Sequence, residues 1–372
     1  MIRIDTLRKQ FPDRGNLVNA VDGLSFEVPE GELYTLLGPS GCGKTTTLRC
    51  VAGLERPDSG EITLGETVVF SSAQYVPTYQ RDIGMVFQSY AIWPHMTVFE
   101  NVAFPLRVSG ERYPRKHIDE SVERSLDQVG LAGYEDRMAT QLSGGQQQRL
   151  SLARALVRQP KVLLLDEPLS NLDAKLREHM RQEIRLLQQR LNITTLFVTH
   201  DQIEALAMSD RVAVLRDGQI EQEGTPEEIY TNPASEFVAD FVGGSNLVTG
   251  TVLSRSTGAV VVETKFGPVT AVPTSGVSTA EGTDVAVAFR PEDLVLLERG
   301  AVDPGAANTW PVEVMLSSFT GAITDFRVVT ESGQEISVRS PSRNASKERY
   351  LFMHAPAAIC RILPRSGVVT GA

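Results

Sequence analysis

One eight-residue stretch constrains this chain more than any other. Gly38-Pro39-Ser40-Gly41-Cys42-Gly43-Lys44-Thr45 fits the phosphate-loop pattern G-x-x-x-x-G-K-[ST]. The apolar run Leu33-Tyr34-Thr35-Leu36-Leu37 leads into it, and a helix predicted from Thr45 to Ala52 leads out. Glycines remove side chains and permit unusual φ, so backbone N–H groups can wrap a phosphate chain. The helix N-terminus adds the positive end of its dipole. Lys44 reaches the β- and γ-phosphates as a point charge, and the Thr45 hydroxyl reaches Mg²⁺. The stretch from Gly38 through Thr45, with Thr46 beside it, is the expected nucleotide contact.

A strand running into such a loop calls for a parallel α/β sheet, and the rest of the first 240 residues agrees. Val162–Leu165, Thr195–Val198 and Val212–Leu215 are apolar runs of the doubly buried kind. Between them, Leu176, Met180, Ile184, Leu187 and Leu191 mark one face of a helix over Ala174–Leu191, with Asp173 as its N-cap. Val162-Leu163-Leu164-Leu165 ends in Asp166-Glu167. Ligands of open α/β sheets bind at such strand ends. Asp166 is placed to hold the Mg²⁺ shell and Glu167 to polarise an attacking water, an arrangement for hydrolysis rather than simple binding.

Charge and composition exclude several alternatives. Residues 1–245 hold 25 basic and 34 acidic side chains, a net of −9, and the remainder is close to neutral, so neither part looks like a polyanion binder. No apolar run approaches the ~20 residues that span a bilayer. Met1–Asp5 lacks the apolar stretch of a secretory signal, and three scattered cysteines fit a reducing compartment. Near Phe241–Asn246 the pattern changes, and a hinge is expected there. Beyond it Gly, Pro and Ser separate short β-type runs, which predict a small all-β sandwich or barrel over 241–372.

Leu142-Ser143-Gly144-Gly145-Gln146, whose Ser143 lies 23 residues ahead of Asp166, opens a helical stretch from Gln147 to Val157. Ser143 reads as an N-cap, making a second anion site at a helix start. Most phosphate-loop enzymes have no use for one. Here the chain resembles the ATP-binding cassette (ABC) family. Lys44 and its loop look like Walker A, and Asp166 and Glu167 like Walker B and its catalytic glutamate. Residues 142–146 are identical to the family signature. Gln88 matches the Q-loop, Ser170–Asp173 resembles the D-loop with Asn171 where Ala is usual, and His200 matches the switch histidine. The resemblance implies an ABC-type P-loop domain over 1–240, with a helical subdomain at about 89–160. It implies ATP and Mg²⁺ as ligands, with Gln88 and Thr45 joining Asp166 at the metal, and Glu167, His200, Gln88 and Lys44 as catalytic groups. It also implies a head-to-tail homodimer in which the signature Ser143, Gly144, Gly145 and Gln146 of one copy completes the other's site, with Ser143 and Gly145 donating to the γ-phosphate; Asp173 is a further expected nucleotide contact. Phe11, with Val18 beside it, is the candidate for adenine stacking; a core role for Phe11 is the alternative.

The block after the Q-loop, Ser89–Val102, closely resembles that of importer cassettes, where it helps form the groove for a permease's coupling helix. Trp93, His95 and Met96 are expected contacts. The C-terminal segment, with Phe289-Arg290-Pro291-Glu292, resembles the OB-like TOBE domains of importer ATPase subunits. The resemblance thus implies an ATPase at the cytoplasmic face of the plasma membrane. It would work under two permease subunits, with an extracytoplasmic solute-binding protein as indirect partner and no nucleic acid. Ferric iron or polyamine is the expected solute, with sugar or phosphonate as the alternative. A soluble, non-transport ABC ATPase acting on ribosomes or nucleic acid is the competing class.

Overall fold

The computed structural model describes residues 1–13, 16–109, 112–256, 258–274, 276–298, 306–344 and 348–365. It divides into two compact units, Met1–Pro226 and Glu227–Ala372.

The first unit opens with a long hairpin, β1 (Ile2–Asp13) and β2 (Asn16–Val28). Next come β3 (Leu33–Leu37), α1 (Lys44–Ala52), β4 (Ser59–Leu64), β5 (Thr67–Phe70) and β6 (Ile83–Val86). Three helices follow, α2 (Val98–Arg107), α3 (Arg115–Gln128) and α4 (Gly144–Leu156). The unit then runs through β7 (Val162–Asp166), α5 (Ala174–Leu191), β8 (Thr194–Thr199), α6 (Gln202–Met208), β9 (Arg211–Arg216) and β10 (Gln219–Gly224). Six strands make one sheet in the order β10-β9-β3-β8-β7-β6, parallel except for the β9/β10 pair at its edge. A second, antiparallel sheet has the order β2-β1-β4-β5.

Side-chain alternation sets the layers. On β7, Val162 and Leu164 join a core with α1 and the antiparallel sheet, including Leu48, Val51, Ile4 and Phe26. Leu163 and Leu165 join the opposite core, with α2, α3, α4 and α5. Both faces are covered, which is why VLLLD is buried throughout. The period of two then sends Asp166 to the α1 side. Register levels the strand ends: Leu37 pairs with Thr199, Asp166 with Val198, and Val86 with Leu165. The phosphate loop, Gln88, Glu167 and His200 therefore leave the sheet along one edge.

The second unit carries α7 (Pro226–Thr231, whose first residue closes the first unit) and α8 (Glu236–Phe241). Among the described residues ten strands follow: β11 (Asn246–Ser256), β12 (Ala259–Thr264), β13 (Gly267–Pro273), β14 (Asp284–Phe289), β15 (Val295–Leu297), β16 (Thr309–Phe319), β17 (Ile323–Thr330), β18 (Glu335–Pro341), β19 (Tyr350–His354) and β20 (Arg361–Pro364). Strands β11-β12-β13-β20-β14 close a barrel, and β15-β19-β16-β17-β18 form a sheet that shares its core. The unit starts at Glu227 rather than at the expected residue 241. The cause is Arg290, 6% exposed, whose guanidinium donates to the carbonyls of Tyr230, Ala239 and Val242. That grip holds α7, α8 and the glycine turn after them to the barrel.

Candidate active site

The loop after β3 is shaped by close approaches. A Cβ on Gly43 would lie 2.0 Å from the Ala20 carbonyl oxygen, and Gly43 has φ +99°, so glycine is required twice over. The same contact ties β2 to the loop. Gly43 caps α1 with no side-chain hydrogen bond, so this helix start has no side-chain cap of its own. Lys44, 5% exposed, donates from Nζ to the carbonyls of Gly38 (2.7 Å) and Pro39 (2.9 Å) and lies 3.7 Å from Cys42 Sγ. Burial pushes the Cys42 thiol up, with Lys44 pulling the other way, so the sulfur stays a neutral wall of the loop. At the other end of α1, Arg81 donates to the carbonyls of Cys50 (2.8 Å) and Val51 (2.6 Å), fixing the helix from behind.

Asp166 arrives where the alternation sends it: Thr45 Oγ1 donates to its Oδ1 at 3.1 Å. Burial raises the Asp166 carboxyl above its ordinary value, offset by that hydrogen bond and by Arg49. Glu167, one residue on, has φ +43°, a left-handed conformation that costs a non-glycine residue about 1–3 kcal/mol. Its N–H donates to Val198 O at 3.0 Å, which holds the turn. The turn points the carboxylate along the sheet edge. There Oε1 lies 3.1 Å from His200 Nδ1 and Oε2 accepts from Gln88 Nε2 at 3.2 Å. A carboxylate between an imidazole and an amide can take a proton from water and hold it while the neighbours keep the water aligned.

Other expected residues fall elsewhere on the unit. Phe11 and Val18 are paired across the β1/β2 hairpin, 37% and 49% exposed, with Lys9 Nζ 5.0 Å from the Phe11 ring centroid. A ring that open is not a core residue. Val18 is two residues of extended chain from Ala20, roughly 7 Å from the loop contact. Ser143 caps α4 and Gln146 reciprocates, their side chains bonding each other's backbone N–H. Asp173 caps α5 through Leu176 N at 3.0 Å. Trp93 lines a groove of about 340 Å³ with Leu54, Tyr79, Phe104, Val108 and Arg154; His95 and Met96 do not line it. Among the described residues no group of three or more His, Cys, Asp or Glu gathers as a metal site.

Sequence reasoning missed the groups that bind backbone. Asn171 Nδ2 donates to Gln88 O at 2.8 Å, joining the segments after β7 and β6. Arg154 of α4 donates to Tyr90 O and Ala91 O. Burial lowers Arg154 to about 10 without displacing its charge at neutral pH. Only the departure from the usual Ala at Asn171 hinted at either contact.

Loop, acid pair and sheet edge together define a phosphate-loop nucleoside-triphosphate hydrolase. Residues 21–170 match the ABC transporter family, and residues 287–350 match the TOBE domain. The spermidine/putrescine import ATP-binding protein PotA of Acetivibrio thermocellus is 48% identical over 298 residues, 80% of each chain. The Fe(3+) ions import ATP-binding protein FbpC 1 of Rhizobium meliloti is 48% identical over 316 residues, 84% of each chain. Among solved structures, a dimeric bacterial ABC transporter cassette is 29% identical, with a TM-score of 0.54, and covers 61% of this chain and 99% of its own. The chain belongs to the ATP-binding cassette family of transport ATPases, with a C-terminal TOBE domain, as its motifs led us to expect.

Proposed function

We propose that this chain is the ATP-hydrolysing subunit of an importer for a polyamine or ferric iron, and that the residues gathered on the sheet edge carry the hydrolysis. The relatives named for spermidine/putrescine and for Fe(3+) import match over four-fifths of the chain or more, which supports both solutes. The phosphate loop and Lys44 bind the triphosphate, and Phe11 with Val18 stacks the base. Thr45 and Asp166 offer adjacent hard oxygens 3.1 Å apart, a donor set that fits Mg²⁺, with Gln88 as a third ligand. When bound, that ion neutralises charge on the β- and γ-phosphates. Glu167 accepts the proton of the attacking water. His200 orients that water and steadies the γ-phosphate.

Two copies assemble head to tail, so that Ser143, Gly144, Gly145, Gln146 and Asp173 of one copy reach the nucleotide held by the other. ATP favours the closed pair, and its hydrolysis returns the open one. The groove at Trp93 receives one of two membrane permease subunits, which hold the chain at the cytoplasmic face of the plasma membrane. A solute-binding protein acts on the far side. No helix among the described residues is long and apolar enough to cross a membrane itself.

The observation that carries this reading is Glu167 set between His200 and Gln88. Its test is Glu167→Gln, which keeps the shape and removes the base. Steady-state turnover should fall by at least ~100-fold. ATP-bound dimers should accumulate, as read by light scattering after gel filtration. Normal turnover, or a variant that binds ATP only as a monomer, would refute it.

A further inference from the structure

Gln88 is one end of a short strap, Gln88–Ala91, that joins Glu167 to the groove at Trp93. The strap is held in an unfavourable shape. Tyr90 and Ala91 have φ +60° and +48°, two consecutive non-glycine residues in the left-handed region. Local sequence does not ask for this; something outside must impose it. Asn171 grips one end through Gln88 O. At the other end Arg154, 8% exposed, forks onto both strained residues, donating to Tyr90 O at 2.7 Å and to Ala91 O. The same guanidinium lies 4.8 Å from the ring centroid of Trp93, on the groove wall.

Arg154 also belongs to α4, the helix that Ser143-Gly144-Gly145-Gln146 begins. Two other polar side chains of α4 are fully buried, Gln148 and Ser151, and neither has a hydrogen-bond partner among the described residues. Of these three groups, only Arg154 makes a directed contact. The remaining buried face of α4 is apolar, and apolar packing does not fix orientation. A bidentate fork does.

We propose that Arg154 is a positioning residue for hydrolysis: it imposes the left-handed shape of Tyr90-Ala91 and so ties Gln88 to the signature helix and to the groove. Through this tie, displacement of α4 or of the groove wall reaches Glu167. The proposal rests on Glu167 being the base, which the Glu167→Gln experiment tests separately in a chain with Arg154 intact.

The test uses the full-length chain and ATP. Arg154→Met keeps bulk and loses the fork. Its kcat should fall at least tenfold while KM for ATP stays within about twofold, because the phosphate loop is untouched. Adding Ala91→Asn, a residue that favours the left-handed region, should recover at least threefold of that loss without the arginine. If Arg154→Met does not fold, Arg154→Lys, which keeps the charge but not the fork, should show the same split in milder form. Unchanged kcat overturns the proposal. So does a fall in kcat matched by a rise in KM, or a loss that Ala91→Asn leaves untouched, since each marks general damage instead of a lost strap.

Discussion

Two glycine-flanked helix starts in the first unit are built on opposite plans. At α1, Gly43 is pressed against Ala20 and the helix start has no side-chain cap, while Lys44 is buried behind it. At α4, Ser143 and Gln146 cap the helix reciprocally, and Ser143 and Gly144 face solvent. A Cβ on Gly144 would meet nothing nearer than Leu172 Cδ2 at 3.7 Å. Glycine thus does different work in the two loops. In the first Gly43 lets the backbone pass a neighbour and curl; in the second Gly144 leaves the surface flat, while Gly145 is buried against Leu176. The first start is a socket complete within one chain. The second is satisfied by its own side chains and offers a surface for something brought to it, which is what a site shared between two copies needs.

The widest separation between the two plans should come from Ser143→Arg. Bulk at an open surface does not disturb the α1 socket, so calorimetric ATP affinity should stay within about threefold. Hydrolysis should fall at least ~100-fold, the scale of losing a donor to transition-state charge. Full activity would break the comparison, and loss of ATP binding would show that the second start serves its own chain's nucleotide.

A smaller effect separates the two glycines by stability. Gly43→Ala combines a left-handed φ with a backbone clash and should cost about 3 kcal/mol or more. Gly144→Ala meets ordinary van der Waals contact and should lie within about 0.5 kcal/mol of the parent in urea unfolding. Equal costs would mean that glycine serves the same purpose in both loops.

What the sequence made legible follows the same division between local and non-local causes. The phosphate loop, the 142–146 motif and the Asp173-capped helix are contiguous, and each is specified by side chains within a few residues. Phe11 was harder: its neighbours set a strand, but only the folded hairpin shows the ring to be 37% exposed. Arg154 and Arg290 could not be read, because they bind carbonyls, which every residue carries, 48–64 positions away. The Arg290 grip is also why the second unit begins at Glu227, ahead of the change in composition. In that unit β11, β12, β14, β16, β17 and β18 were visible as apolar runs. Strand β20 was not: it has four residues, ends in Pro364 and pairs in parallel with β13 over only two positions.

The third helix start on this edge, at α6 beside His200, allows the finest test. Here the cap is a charge: Asp201 accepts from Ile203 N at 2.8 Å and Glu204 N at 3.2 Å. Behind it Glu204 is 3% exposed and accepts from Thr199 Oγ1 at 2.6 Å. Burial raises the Glu204 carboxyl, and Asp201 adds to this; Thr199, Arg177 and Arg181 oppose it. A raised carboxyl binds its proton more tightly in the folded chain. Its contribution is therefore complete below the ordinary glutamate range, near 4.3, and is lost as pH rises through the folded value. Glu204→Gln keeps an oxygen for Thr199 and removes the ionisation. The thermal midpoint of the variant relative to the parent should therefore rise from pH 4 to pH 7. A difference independent of pH would mean that Thr199, Arg177 and Arg181 fully offset the burial of Glu204.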